Sequence, residues 1–193
     1  MGNNMKKQHC GYSLIALSLL AMSGAAAATD LNVNFTANIR ETTCDMKLVG
    51  GEGSDTAQTL TLGNNGQARI DDIRAGNVTA KFKIAIIDCP SSLRTLKTTI
   101  KGSPAGYLKT GLVNQLPVEA GNANYSAVEI ARESAPTAPF TINSTNDSER
   151  LVWTPEEITN KEVPLIAILR ETYADRLTIG QFQTVGTFEF TYE

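Results

Sequence analysis

The strongest constraint on this chain is a period of two. Leu31, Val33, Phe35, Ala37 and Ile39 alternate with Asn32, Asn34, Thr36, Asn38 and Arg40, so an extended segment would carry one wholly apolar face and one wholly polar face. The same alternation recurs in short runs at 43–49, 58–62, 78–89, 95–101, 124–131, 140–143, 150–153, 162–173 and 182–192. Clusters such as Gly50-Gly51-Glu52-Gly53, Gly63-Asn64-Asn65-Gly66, Ser103-Pro104-Ala105-Gly106 and Asn143-Ser144-Thr145-Asn146-Asp147 punctuate the runs as turns. About ten short strands of this kind imply an all-β sandwich. Helix signals are scarce. Pro155-Glu156-Glu157 after Thr154 offers one helical turn, and the expectation there is a loop.

The first 28 residues stand apart from this pattern. Lys6 and Lys7 precede an apolar stretch from Tyr12 to Met22, and Ala25 to Ala28 supply A-x-A cleavage sites, which reads as a secretory signal peptide over 1–28. The stretch is shorter than the roughly 20 residues that span a bilayer, so the exported chain is not expected to be membrane-spanning. Removing 28 of 193 residues leaves 165, and removing two lysines changes 17 basic against 20 acidic residues to 15 against 20, a net charge of −5. An acidic surface without a basic tract excludes non-specific nucleic-acid binding.

His9 and Cys10 both lie in the discarded segment, so the mature chain holds no histidine. That excludes Ser-His-Asp, Cys-His and zinc-histidine chemistry. Cys44 and Cys89 remain, an even pair in an exported chain, and a disulfide is the default over a redox or metal role. No catalytic residue, metal site or cofactor is expected. Asp71-Asp72 and Asp147-Ser148-Glu149 lack the spaced oxygens of a calcium loop and read as solvated charges in polar turns. Trp153, the only tryptophan, is expected half-buried at a strand end, with stacking on a sugar as the competing reading.

Three features converge on a family. Phe35-x-Ala37-x-Ile39 precedes Cys44, Phe82-x-Ile84-x-Ile86-x-x-Cys89 forms a strand leading into the second cysteine, and Phe188 and Phe190 alternate before a penultimate Tyr192, with Gly180 fourteenth from the end. Together with the signal peptide, this set resembles the subunits of chaperone-usher pili of the type 1 kind, the fimbrial proteins of Gram-negative bacteria. The resemblance implies an incomplete immunoglobulin-like β-sandwich over 41–193, the pilin fold, completed by a donor strand from a neighbouring subunit. It implies that 29–40 is an N-terminal donor-strand extension presenting Leu31, Val33, Phe35, Ala37 and Ile39. Ala37 stands where the family usually has glycine, a position that must be small.

The resemblance further implies that Gly180, Phe188, Phe190 and Tyr192 mark the edge of the open groove, where a periplasmic chaperone binds first and also holds the carboxylate of Glu193. Phe82, Ile84 and Ile86 are core-strand residues under the same reading. The implied partners are a periplasmic pilus chaperone, an outer-membrane usher and neighbouring pilin subunits. The implied location is a fimbrium on the cell surface, reached through the periplasm, and the implied function is structural, serving bacterial adhesion, without enzymatic activity. The competing reading is a secreted lectin-like β-sandwich that binds a host glycan or matrix protein as a complete domain.

Overall fold

The computed structural model describes residues 44–91 and 93–192. The segment read as a signal peptide, the stripe from Leu31 to Ile39 read as a donor strand and the terminal Glu193 lie outside the described residues. Eleven strands, two short α-helices and one 3-10 turn at Val118–Ala120 are present among those described: β1 (Asp45–Val49), β2 (Glu52–Gly53), β3 (Gln58–Thr59), α1 (Ile70–Arg74), β4 (Thr79–Asp88), β5 (Leu96–Gly102), β6 (Pro104–Ala105), β7 (Leu108–Val113), β8 (Ser126–Arg132), β9 (Leu151–Val152), α2 (Pro155–Asn160), β10 (Glu162–Glu171) and β11 (Gly186–Tyr192).

The strands form two sheets around one core. One sheet has the order β1-β4-β10-β8-β7-β6, the other β11-β5-β9, and β2 and β3 make a separate small hairpin. All named pairings are antiparallel. The alternation read from the sequence decides which side chains meet. Phe82, Ile84 and Ile86 of β4, Val163, Leu165 and Leu169 of β10, and Val128 and Ile130 of β8 face Leu96 and Ile100 of β5, Leu151 of β9 and Phe188 of β11 in one buried cluster. A strand with every second residue apolar can fill only one face, so two such sheets must close on each other. The result is the immunoglobulin-like sandwich expected for the chain.

Several local expectations are corrected. Residues 155–160 are helical rather than a loop, because Thr154 and Glu157 form a reciprocal cap: Thr154 Oγ1 accepts the Glu157 N–H at 3.1 Å, and Glu157 Oε2 accepts the Thr154 N–H at 2.8 Å. Asp71 and Asp72 occupy the first turn of α1, not a polar turn. Residues 140–143 form no strand. They cross between sheets, with the Phe140 N–H on Ile130 O and the Asn143 N–H on Ile100 O, while Phe140 and Ile142 are buried. The run at 58–62 shortens to β3, and 182–185 precede β11 without joining it.

The sequence reading missed β7. Gly111 interrupts its alternation, and a Cβ there would stand 2.6 Å from Ala127 Cβ, so the strand needs the glycine to lie against β8. Trp153 is not half-buried but 3% exposed, and its Nε1–H donates at 3.0 Å to Thr98 Oγ1, itself buried. That removes Trp153 as a sugar platform.

Candidate functional site: an open strand edge

Edges of sheets carry unsatisfied backbone groups, and a soluble domain covers or shortens them. Three of the four edges here are managed. β6 is two residues long and begins with Pro104, which has no N–H. β9 is equally short, and Arg132 Nη2 donates at 2.6 Å to Val152 O. At β1, the Leu48 N–H donates to Asp55 O at 2.7 Å and Leu48 O accepts from Gln58 Nε2 at 2.8 Å, so the loop containing β2 and β3 seals that position.

The fourth edge, β11, is seven residues long and pairs among the described residues with β5 alone. Its sequence, Gly-Thr-Phe-Glu-Phe-Thr-Tyr, is rich in the β-branched and aromatic residues that favour a strand. The register runs from Gly186 opposite Gly102 to Tyr192 opposite Leu96. Leu96 and Ile100 send their carbonyls the other way, to the N–H groups of Trp153 and Asn143 at 2.9 and 2.8 Å. Both backbone groups of Gly102 likewise go to the Asn143 side chain, at 3.1 and 2.8 Å. β5 therefore holds β11 through Lys97, Thr99 and Lys101, which face Thr191, Glu189 and Thr187.

It follows that Phe188, Phe190 and Tyr192 direct their N–H and C=O groups away from β5, to a side without a partner strand among the described residues. The same three residues point their side chains inward. Phe188 is 8% exposed with its ring 5.9 Å from that of Phe82, whereas Phe190 and Tyr192 are only half-buried and stack at 6.5 Å. The apolar cover thus thins toward the end of the strand. Met46 and Leu48 of β1 and Leu60 and Leu62 are also partly buried against this core. The Tyr192 hydroxyl donates at 3.4 Å to Cys44 O, bringing the end of β11 to the start of β1. Burial pushes the Tyr192 phenol above its ordinary range.

Cys44 and Cys89 form the expected disulfide, which joins the start of β1 to the segment following β4. Phe82, Ile84 and Ile86 line the core at 6%, 0% and 7% exposure. Gly180 lies apart from Phe188, Phe190 and Tyr192, in the loop between β10 and β11. Its φ is +143°, and a Cβ there would come within 2.5 Å of Gly121 O, Asn122 C and Ala123 N, so the loop packs closely there and needs a glycine. The sealing of β1 by Gln58 and Asp55 had no signature in the sequence, since neither residue sits in a recognisable motif.

The fold and this edge define a class: a disulfide-closed β-sandwich with one long strand left half-paired among its described residues. The family model described as fimbrial protein matches residues 33–193, and the chain belongs to that family. Members of the family are structural proteins of cell-surface fimbriae. A relative, the uncharacterized fimbrial-like protein YadM of Escherichia coli (strain K12), is 25% identical over 186 residues, covering 94% of this chain and 97% of its own. Among solved structures, the P pilus rod subunit PapA is 16% identical over 83% of this chain and 99% of its own, with a TM-score of 0.48. The P pilus adaptor subunit PapF is 15% identical over 65% and 80%, with a TM-score of 0.37. No described helix is long and apolar enough to cross a membrane.

Proposed function

We propose that the protein is a non-enzymatic structural subunit of a chaperone-usher fimbria, joined to its neighbours by donor-strand exchange. The observation that carries this reading is β11, the one long edge without a cap among the described residues. Its outward backbone groups and its inward, half-covered aromatics belong to the same three residues, so an incoming strand would satisfy both at once. That is β-augmentation: main-chain bonds supply affinity, and pockets for alternate side chains set the register.

Before assembly a periplasmic chaperone lends a strand to this edge, and at the outer-membrane usher the extension of the next subunit replaces it. The chain's own extension, 29–40, enters the preceding subunit with Leu31, Val33, Phe35 and Ile39 as anchors and Ala37 at the narrow position. The fimbrium then presents the assembled subunits at the cell surface and contributes to adhesion.

The test is a thermal melt of residues 41–193, oxidised and released from the chaperone, with and without a synthetic peptide covering Asp30 to Arg40. A gain of tens of degrees with the peptide, abolished by Ile39→Asp, is the expected outcome. A domain stable alone and indifferent to the peptide would sink the reading. In cells, deletion of 29–40 leaves a subunit that accepts a strand and cannot donate one, and normal polymerisation of that deletion would refute the donor role.

A further inference from the structure

A second surface lies at the end of the sandwich opposite the disulfide, where β10 stops and β8 starts. Tyr107 sits in the turn between β6 and β7, Tyr125 immediately precedes β8, and Tyr173 follows β10. Their rings converge. Tyr107 and Tyr173 meet edge to face at 5.1 Å between centroids, and each lies 6.1 Å from Tyr125. Tyr107 is 66% exposed and Tyr173 50%, so this aromatic surface contributes little to the core and remains in water.

The cluster is held in place from beneath. Tyr125 has φ +54°, a conformation that bulky residues seldom adopt. Asn124 Oδ1 accepts the Tyr125 N–H at 2.8 Å, and the Thr172 N–H donates to Tyr125 O at 2.8 Å. Glu171 accepts the Arg74 Nε–H at 3.0 Å and the Leu177 N–H at 2.9 Å, which fixes the start of the loop carrying Tyr173. Strain kept by such a framework is most often found where a site must be rigid.

The charges around the rings are unequal in use. Arg74 is engaged by Glu171 and Asp175. Arg176 lies with its guanidinium carbon 5.9 Å from the Tyr125 centroid and forms no ion pair among the described residues. Its N–H fork therefore stands beside the aromatic surface with its donors uncommitted.

These features narrow the ligand. The rings touch one another, so nothing enters between them and a ligand must lie across their outer faces. A buried tyrosine accounts for about 150–250 Å². The exposed parts of Tyr107 and Tyr173 thus amount to something on the order of 200 Å², well below the ~800 Å² per partner of a stable protein interface. That area suits a single small ring. A sugar ring has an apolar C–H face and a polar rim, matching an amphipathic tyrosine surface bordered by donors. We propose that the tyrosine cluster is a saccharide site, in which a pyranose lies on Tyr107 and Tyr173 while its carboxylate is bound by Arg176. The site is distinct from the β11 edge and does not depend on strand exchange.

The full exported protein would be titrated with methyl β-D-glucuronide and, for comparison, methyl β-D-glucoside, by saturation-transfer NMR and calorimetry. The expected result is a Kd for the glucuronide of about 1 mM, with the neutral glycoside about tenfold weaker. Tyr173→Ala and, separately, Tyr107→Ala weaken both ligands about tenfold at unchanged melting temperature, and Arg176→Gln erases the preference for the acid while sparing the glucoside. Absence of binding to either glycoside, or binding indifferent to both tyrosine substitutions, overturns the proposal. Self-association in sedimentation that disappears in Tyr107→Ala, without any glycoside binding, assigns the patch to protein contact instead and also overturns it.

Discussion

Replacing single backbone amides of β11 by esters separates the free side of the strand from the paired side. An ester at Phe190 removes an N–H that points away from β5, whereas one at Thr191 removes an N–H directed at Lys97. One hydrogen bond contributes about 0.5–1.5 kcal/mol net. The Phe190 ester should therefore weaken binding of the Asp30–Arg40 peptide by a factor of about 2–13. It should scarcely change the melt of the peptide-free protein, because without the peptide the lost N–H has no partner among the described residues. The Thr191 ester should lower the peptide-free melting temperature by about 2–4 °C per kcal/mol lost. Both variants are accessible by ligating a synthetic C-terminal peptide, and labelled-peptide anisotropy reads the affinity. Equal effects of the two esters on the melt, with peptide affinity unchanged by the Phe190 ester, would refute the assignment of the free edge.

Three further outcomes follow from the geometry. Glu157 accepts both Nε and Nη2 of Arg132, at 2.8 and 3.0 Å, and the cap N–H of Thr154, so Glu157→Gln should cost about 1–3 kcal/mol in chemical denaturation. Burial opposes ionisation of Glu157, but the Arg132 and Thr154 bonds outweigh it and hold its carboxyl below the ordinary range; the Arg74 bond does the same for Glu171. A depressed carboxyl stabilises the fold fully above its unfolded pKa near ~4.3 and ceases to do so as pH falls through the lower folded value, and Glu157→Gln should flatten that acid limb. Gly180→Ala meets both a positive φ and backbone contacts at 2.4–2.5 Å, so a loss of about 1–3 kcal/mol and a lower melting temperature are expected. Reduction of Cys44–Cys89 opens a loop of 45 residues, worth about 4 kcal/mol by loop entropy, and should be read as a shift in urea midpoint.

Period-two alternation was sufficient to find the long strands because burial on one face is what it reports. β4, β5, β8, β10 and β11 were all visible, with ends off by a few residues. The same signal cannot say which sheet a strand joins, and it misread 140–143, whose Phe140 and Ile142 are buried by a crossing segment rather than by a ladder. β7 was hidden because close approach to β8 demands Gly111, and a glycine weakens the pattern. Phe188, Phe190 and Tyr192 were picked out from the sequence, but the outward direction of their backbone groups depends on the register against β5, which only the pairing of Leu96, Ile100 and Gly102 elsewhere reveals. The tyrosine cluster was invisible for a different reason: its members are 18 and 48 residues apart in sequence, from 107 to 125 and from 125 to 173, and sit in turns where no periodicity operates.

The contrast among the four edges explains why an ordinary sandwich is a poor account of this chain. Leu48, Val152 and Pro104 each show an edge position closed by a different device: backbone and side-chain caps, an arginine, and a missing donor. These devices occupy the shorter edges, while the seven-residue β11 has none among the described residues. Its outer face does not substitute for them, since the Lys101–Glu189 pair at 3.3 Å decorates the sheet surface and leaves the edge-directed groups of Phe188 and Phe190 untouched. A charge at these positions would have to be desolvated when a strand is added, and 188, 190 and 192 carry none. A domain that closes its short edges and leaves its longest one aromatic and uncapped among the described residues has the edge that the proposed strand addition needs, and that joins β11 to the fimbrial role of the family.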